Sequence, residues 1–251
     1  MGAKIVFSTV KSPSDNRVPE KDESGYSYVT LGALNVINSA GEFYTANEVK
    51  EMFTDTNSTL MRRLKSGALR GEVGHPQFQP GMTKTAFFNR NLRIDEQNVC
   101  VHIKELVLEE TDESSGVSGQ GNIVLVKGWI KPSGPKGDFL QKALDNPDEN
   151  VAFSVRSFTK NSVVNGVVIK KIVQLVTYDY VNEPGISHAT KWKTLGVESM
   201  DSIEIDLDLL ANGDEIDECF ECSLENDSEK AMVRELIHNT NSSMKDVIFD
   251  W

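Results

Sequence analysis

From Thr85 to Val181 the chain is dominated by apolar/polar alternation punctuated by turn residues, and that pattern limits what it can become. Val99-Cys100-Val101-His102-Ile103-Lys104-Glu105-Leu106 alternates along its whole length. A period of two suits a half-buried strand and no helix. Ile123–Ile130, Val151–Phe158 and the run from Val164 to Tyr180 read as further extended segments, and the short alternation Asn91–Asp95 predicts another. Asn165-Gly166 predicts a tight hairpin, because both central residues of such a turn need positive φ. Helical signals lie mostly upstream. Thr45 with Glu48 forms a capping-box pattern opening a helix to about Phe53, and Ser58 to Ser66 predicts a second, stopped by Gly67. Asp138 is expected to cap a third over Phe139–Leu144. Together these predict an α+β fold whose mostly antiparallel sheet closes into a barrel flanked by helices.

Charge narrows the function classes. Of the 38 acidic residues, twelve fall between Glu198 and Asp227, where there is no Lys or Arg; without them acidic and basic residues are equal in number. The excess is therefore local, a solvated or partner-facing segment. No basic stripe is available to neutralise phosphates, which argues against nucleic acid as a partner. No apolar run is long enough for a membrane helix, and the N-terminus lacks a secretory apolar core, so a cytoplasmic chain without a membrane partner is expected. The expected organisation is a flexible lead-in at 1–27, the main folded domain at 28–197 and an acidic tail with a short helix (Ser228–His238) at 198–251.

The residues capable of chemistry are few. Three cysteines cannot build a disulfide framework. Cys219 and Cys222 form one CxxC without a second pair, and Cys100 with His102 offers two ligands where zinc needs more. No metal and no cofactor is expected. The histidines are His75, His102, His188 and His238. A serine needs such a base within hydrogen-bond reach to become a nucleophile. His75 lies in the Gly-bounded, Pro-terminated loop Gly71-Glu72-Val73-Gly74-His75-Pro76, which suits a fixed imidazole. Ser154 lies in an apolar strand with Arg156 two residues on, on the same face. A hydroxyl beside a guanidinium can serve as nucleophile with an oxyanion stabiliser.

The segment Gly71–Pro76 resembles the G-E-[LV]-x-H-P signature of tailed-phage prohead proteases. Asn38-Ser39-Ala40-Gly41-Glu42-Phe43-Tyr44 is similar to the family's N-x-N-G-R-x-Y turn, with Glu42 in place of the basic residue. Phe153-Ser154-Val155-Arg156-Ser157 resembles [IV]-S-S-R-G, and Val155 leaves Ser154 as the motif's nucleophile. Tyr178-Asp179-Tyr180-Val181-Asn182-Glu183-Pro184 looks like [FY]-D-[LV]-V-x-x-P.

The resemblance implies an assemblin-like fold shared with herpesvirus capsid proteases, and a serine endopeptidase. Its substrates would be scaffold or core proteins, major capsid precursors and the chain itself, inside an assembling prohead in the host cytoplasm. It implies Ser154 as nucleophile, His75 as base and Arg156 as oxyanion support. The third member is Asp179, with His188 as the rival. Oligomerisation is an expected accompaniment. The acidic tail would be a removable linker, with Glu198, Glu204, Glu218, Glu221 and Glu225 as candidate self-cleavage points. A non-catalytic capsid scaffold on the same fold is the alternative.

Overall fold

The computed structural model describes residues 4–7, 18–19, 21–192, 203–205 and 247–250. In chain order the elements are β1 (Lys4–Phe7), β2 (Ser27–Leu34), β3 (Val36–Ile37), β4 (Glu42–Tyr44), α1 (Asn47–Thr54), α2 (Thr59–Lys65), β5 (Arg70–Glu72) and α3 (Lys84–Leu92). They continue with β6 (Val99–Ser114), β7 (Asn122–Pro132), α4 (Gly137–Asp145), β8 (Ala152–Val164), β9 (Val167–Val181), β10 (Ile203–Ile205) and β11 (Val247–Asp250).

Two sheets form. One runs β1-β6-β7-β2, with β5 also pairing β6; the other runs β10-β11-β8-β9-β4-β3. The chain passes from the first to the second through Asn35, held at φ 55°. Its side chain fixes that corner, accepting from Ala46 N at 3.0 Å and donating to Asn122 O at 2.9 Å. A second corner forms where Val73 bridges Tyr180 and Gly74 N donates to Tyr180 O at 2.7 Å. The expected closed barrel is thus replaced, among the described residues, by two sheets that meet at corners.

Apolar side chains from both sheets fill the space between them: Leu31, Ile103, Leu106 and Val126 face Phe153, Leu175 and Tyr178. Helices α1, α2 and α4 add Val49, Phe53, Leu60, Leu64, Leu140 and Leu144. Each large side chain so buried contributes on the order of 2 kcal/mol.

The predicted hairpin is present: Asn165 and Gly166 sit at φ 52° and 81°, and β8 pairs β9 antiparallel from Ala152–Val181 to Val164–Val167. The motif's departure at Glu42 also has a structural answer. Its carboxylate meets the buried Lys170 ammonium on β9 at 2.5 Å, so the charge pairing is supplied from the neighbouring strand.

Four local expectations are corrected. The strand expected at Asn91–Asp95 is instead the end of α3 and the turn after it. Thr83 caps α3, accepting from Ala86 N at 3.1 Å, and Phe87, Phe88, Asn91 and Leu92 form its buried face at helical spacing. Thr45 does not cap α1; the cap position is Ala46, and the Thr45 hydroxyl donates to Glu48 Oε2 at 2.6 Å. Asp138 lies in the first turn of α4, one residue inside the expected boundary, with Lys136 at the cap. Lys4–Phe7, within the segment read as a lead-in, pairs β6 in parallel.

Of the tail, Ile203–Ile205 and Val247–Asp250 are strands, and β11 pairs antiparallel with β8 from Ser157 to Lys160. Glu204 lies in β10. Glu198, Glu218, Glu221, Glu225, Cys219, Cys222 and the expected helix with His238 lie outside the described residues.

Candidate active site

The site is built where β5 and the loop after it lie against the C-terminal half of β9. That approach depends on Gly71. A Cβ there would stand 2.0 Å from Tyr178 O and 2.8 Å from Val101 Cγ1, so only glycine lets the two backbones close. Thr177 helps hold the approach, its hydroxyl donating to Arg70 O at 2.6 Å.

Closing the strands delivers Glu72 N to Asp179 Oδ1 at 2.8 Å and His75 Nδ1 to Asp179 Oδ2 at 2.8 Å. Arg156, across the hairpin on β8, donates from Nε to Oδ2 and from Nη2 to Oδ1, each at 2.8 Å. Both oxygens of Asp179 are therefore doubly engaged, and the residue is fully buried. Burial alone would push this carboxyl up. The Arg156 charge, together with the His75 hydrogen bond and charge, more than reverses that and holds it at about 2. It is a carboxylate at neutral pH, an acceptor only, so the His75 nitrogen facing it carries the hydrogen.

Ser154 is the direct cross-strand partner of Asp179. Residues so paired point to one face with Cβ atoms roughly 4.5–5.5 Å apart, which brings the seryl hydroxyl to the side of the sheet where His75 sits. His75 and Ser154 are each more than nine-tenths buried, or close to it, by their side-chain and residue exposures of 6% and 9%.

The oxyanion role expected of Arg156 is not what the geometry gives it. Its guanidinium is 1% exposed and spends its donors on Asp179, on Glu72 Oε1 at 2.9 Å and on Arg93 O at 3.0 Å. Burial disfavours its charge, but Asp179 and Glu72 outweigh that and raise its pKa. It acts as a clamp that fixes Asp179.

Glu72 is the residue the sequence reading left without a role. Fully buried, it accepts from both Nη atoms of Arg90 (Nη1 at 3.0 Å), from Asp95 N at 2.9 Å and from Asn98 Nδ2 at 3.3 Å, besides Arg156. The second position of the GEVGHP segment was its signal, since a carboxylate in a Gly-bounded buried loop demands a cation. Two carboxylates and two guanidiniums thus balance beneath His75.

The other candidates sit elsewhere. His188 Nε2 lies 4.0 Å from Glu113, while His75 Nδ1 is given to Asp179. His102 has its nitrogens on Tyr26 Oη at 3.0 Å and Gly67 O at 2.9 Å, and burial, with Arg70 nearby, lowers its pKa against the Gly67 bond. Burial drives the Cys100 thiol far above its usual range, with Asp179 and Glu72 adding to the effect. Neither residue is poised for metal or thiol chemistry.

The described chain is thus a strand-rich α+β fold with a buried His75–Asp179 pair and Ser154 across the hairpin from Asp179. The chain belongs to the Peptidase S80 family, whose model matches residues 13–247. It is 38% identical over 186 residues to the capsid maturation protease of Pseudomonas phage phiKZ, covering 72% of this chain and 66% of that protein's length. The solved structure of the bacteriophage T4 capsid assembly protease overlaps 69% of this chain and 94% of its own, with a TM-score of 0.41 and 16% identity. No helix among the described residues is long and apolar enough to cross a membrane.

Proposed function

We propose that the chain is a serine endopeptidase of phage capsid maturation, acting on scaffold or core and capsid precursor proteins inside the assembling shell. The observation that carries this reading is the His75–Asp179 hydrogen bond, with Asp179 paired across the hairpin from Ser154. Family membership and the similarity to a phage capsid maturation protease support the same class and substrates.

The chemistry follows from the tautomer. Asp179, ionised and held by Arg156 and Glu72 N, accepts the Nδ1 hydrogen of His75, so the neutral ring has its lone pair on Nε2. Nε2 takes the Ser154 proton as Oγ attacks a peptide carbonyl, forming the tetrahedral adduct. The imidazolium, stabilised by Asp179, then protonates the leaving amine and the acyl-enzyme is hydrolysed by the reverse relay. His188 is not needed for this sequence. Two sheets meeting at corners around one core also fit a distorted, opened barrel of the assemblin kind. The acidic segment is read as a linker lost by self-processing; a mature chain with an intact C-terminus by mass spectrometry would count against that.

The test is Ser154→Ala in the full chain, co-expressed with a candidate scaffold or capsid precursor. Loss of all cleavage, with folding unchanged by circular dichroism, is expected. Persisting cleavage would overturn the assignment of Ser154, and unchanged shell assembly by a chain that never cleaves would favour the scaffold reading.

A further inference from the structure

The segment that delivers His75 is held from two sides. Toward β9, Glu72 N donates to Asp179 Oδ1 and Gly74 N to Tyr180 O at 2.7 Å. Val73 lies between them, and by alternation its N–H and C=O turn the opposite way, toward the start of β6. There the ladder is no longer regular. β5 and β6 pair at Arg70–His102, Gly71–Val101 and Glu72–Val99, with a register shift between the last two. β6 begins at Val99, so Val73 has run past its end.

Asn98 takes over where the strand stops. Its carbonyl accepts from Val73 N at 3.1 Å, as that of a strand residue would. Its own N–H is turned away, donating to Asp95 O at 2.9 Å in the turn after α3. The donor that Val73 O needs comes instead from the side chain, Asn98 Nδ2 at 2.8 Å. The same amide reaches Glu72 Oε2 at 3.3 Å. The peptide joining Val73 to Gly74 is therefore pinned at both polar atoms, its oxygen by Asn98 and its nitrogen by Tyr180 O.

That peptide matters because the chain changes direction next. Gly74 sits at φ 68°, and His75 follows. Any rotation of the Val73–Gly74 peptide is passed to His75, whose ring must keep Nδ1 on Asp179 Oδ2 while Nε2 serves Ser154. Glycine has no side chain to resist such rotation. The restraint has to come from outside the loop.

We infer that Asn98 is a positioning residue for His75: its carboxamide locks the Val73–Gly74 peptide and so aims the imidazole. The inference rests on the protease reading and adds to it a residue outside the Gly71–Pro76 segment. The position calls for a short side chain that donates. Asp has nearly the same shape but would turn an acceptor toward Val73 O and Glu72, and Ala leaves that carbonyl without its donor. Asn98 touches the loop's main chain and the buried Glu72 carboxylate, so its loss acts on turnover rather than on substrate affinity.

The experiment uses the full-length chain and a peptide from a bacterial proteome digest, chosen because the parent cuts it and the Ser154→Ala chain does not. Asn98→Ala and Asn98→Asp are compared with Ser58→Ala, which removes the α2 cap and controls for a general loss of stability. Both Asn98 variants are expected to lower kcat by about tenfold to a hundredfold, the scale on which misplaced catalytic groups act, with KM within about threefold. Ser58→Ala is expected to keep the parent's kcat. Where neither Asn98 variant folds by circular dichroism, Asn98→Ser, whose hydroxyl stops short of Val73 O, carries the comparison. NMR of histidine-labelled chains reads the same geometry without turnover. The His75 Nδ1 proton bonded to Asp179 is expected in the parent and in Ser58→Ala, and lost to exchange in Asn98→Ala.

An Asn98→Asp chain with the parent's kcat overturns the inference, as does an Asn98→Ala chain whose loss is confined to KM. So does an unchanged Nδ1 proton signal in Asn98→Ala. Absence of any Ser154-dependent cleavage by the parent removes the protease reading, and the NMR comparison then decides alone whether Asn98 fixes His75 against Asp179.

Discussion

Replacing Glu72 by Gln tests whether the buried charge balance beneath His75 supports the site. The change keeps shape but removes one of two negative charges facing Arg90 and Arg156, and turns an amide NH2 toward groups that are themselves donors. Breaking a buried ion pair by removing one partner costs about 3–5 kcal/mol. Arg90 is 27% exposed and recovers part of its hydration, and Arg156 keeps both bonds to Asp179. A loss of about 2–4 kcal/mol is therefore expected, once the exposed share is discounted. For a chain of this size that corresponds to a fall in Tm of about 5–15 °C. Urea unfolding and a thermal scan measure it. Adding Arg90→Gln should return part of the loss, since it removes the cation left without its carboxylate; a coupling of about 1 kcal/mol or more is expected between contacting residues. A Glu72→Gln protein within about 0.5 kcal/mol of the parent, the range of an ordinary surface change, would refute the reasoning.

Other consequences are as direct. Gly71→Ala forces a methyl group onto Tyr178 O and should push β5 off β9, costing at least about 1–3 kcal/mol as overpacking does and lowering activity in the fraction that still folds; unchanged stability and activity would show that the close approach is unimportant. Asp179 has a depressed pKa in the folded chain, so its contribution is complete above about pH 4 and lost as pH falls toward about 2. Acid unfolding should thus steepen across that window by about 2 kcal/mol relative to Asp179→Asn, and parallel curves for the two would contradict the clamp. Because the Cys100 thiol is buried and pushed up, iodoacetamide and chelators should leave cleavage unaffected; inactivation by either in the folded chain would reopen a thiol or metal mechanism.

Much of this could be read in the chain because the signals were local. Asn165-Gly166 set the β8–β9 hairpin by backbone sterics, and Ser58 set the start of α2 through a hydrogen bond three residues long, accepting from Met61 N. The loop Gly71–Pro76 announced a fixed imidazole. What escaped depends on distant partners. Asp179 reaches His75 only because Gly71 admits β5 against β9, over a hundred positions of sequence apart. Arg156 shares a strand face with Ser154, as alternation predicted, yet its guanidinium turns to two carboxylates whose position is set by other strands. Helix α3 was hidden by a short accidental alternation at Asn91–Asp95, where the helical spacing of Phe87, Phe88, Asn91 and Leu92 was the better guide.

The pairing of β11 with β8 has a kinetic consequence. A segment tethered to its own enzyme presents itself at an effective concentration on the order of millimolar, without any diffusion. Any outside peptide that extends along β8 past Ser157 must outcompete that tethered strand. A tethered strand of that kind would weaken binding of such a peptide most where the peptide is dilute, and less as its concentration approaches the tether's own.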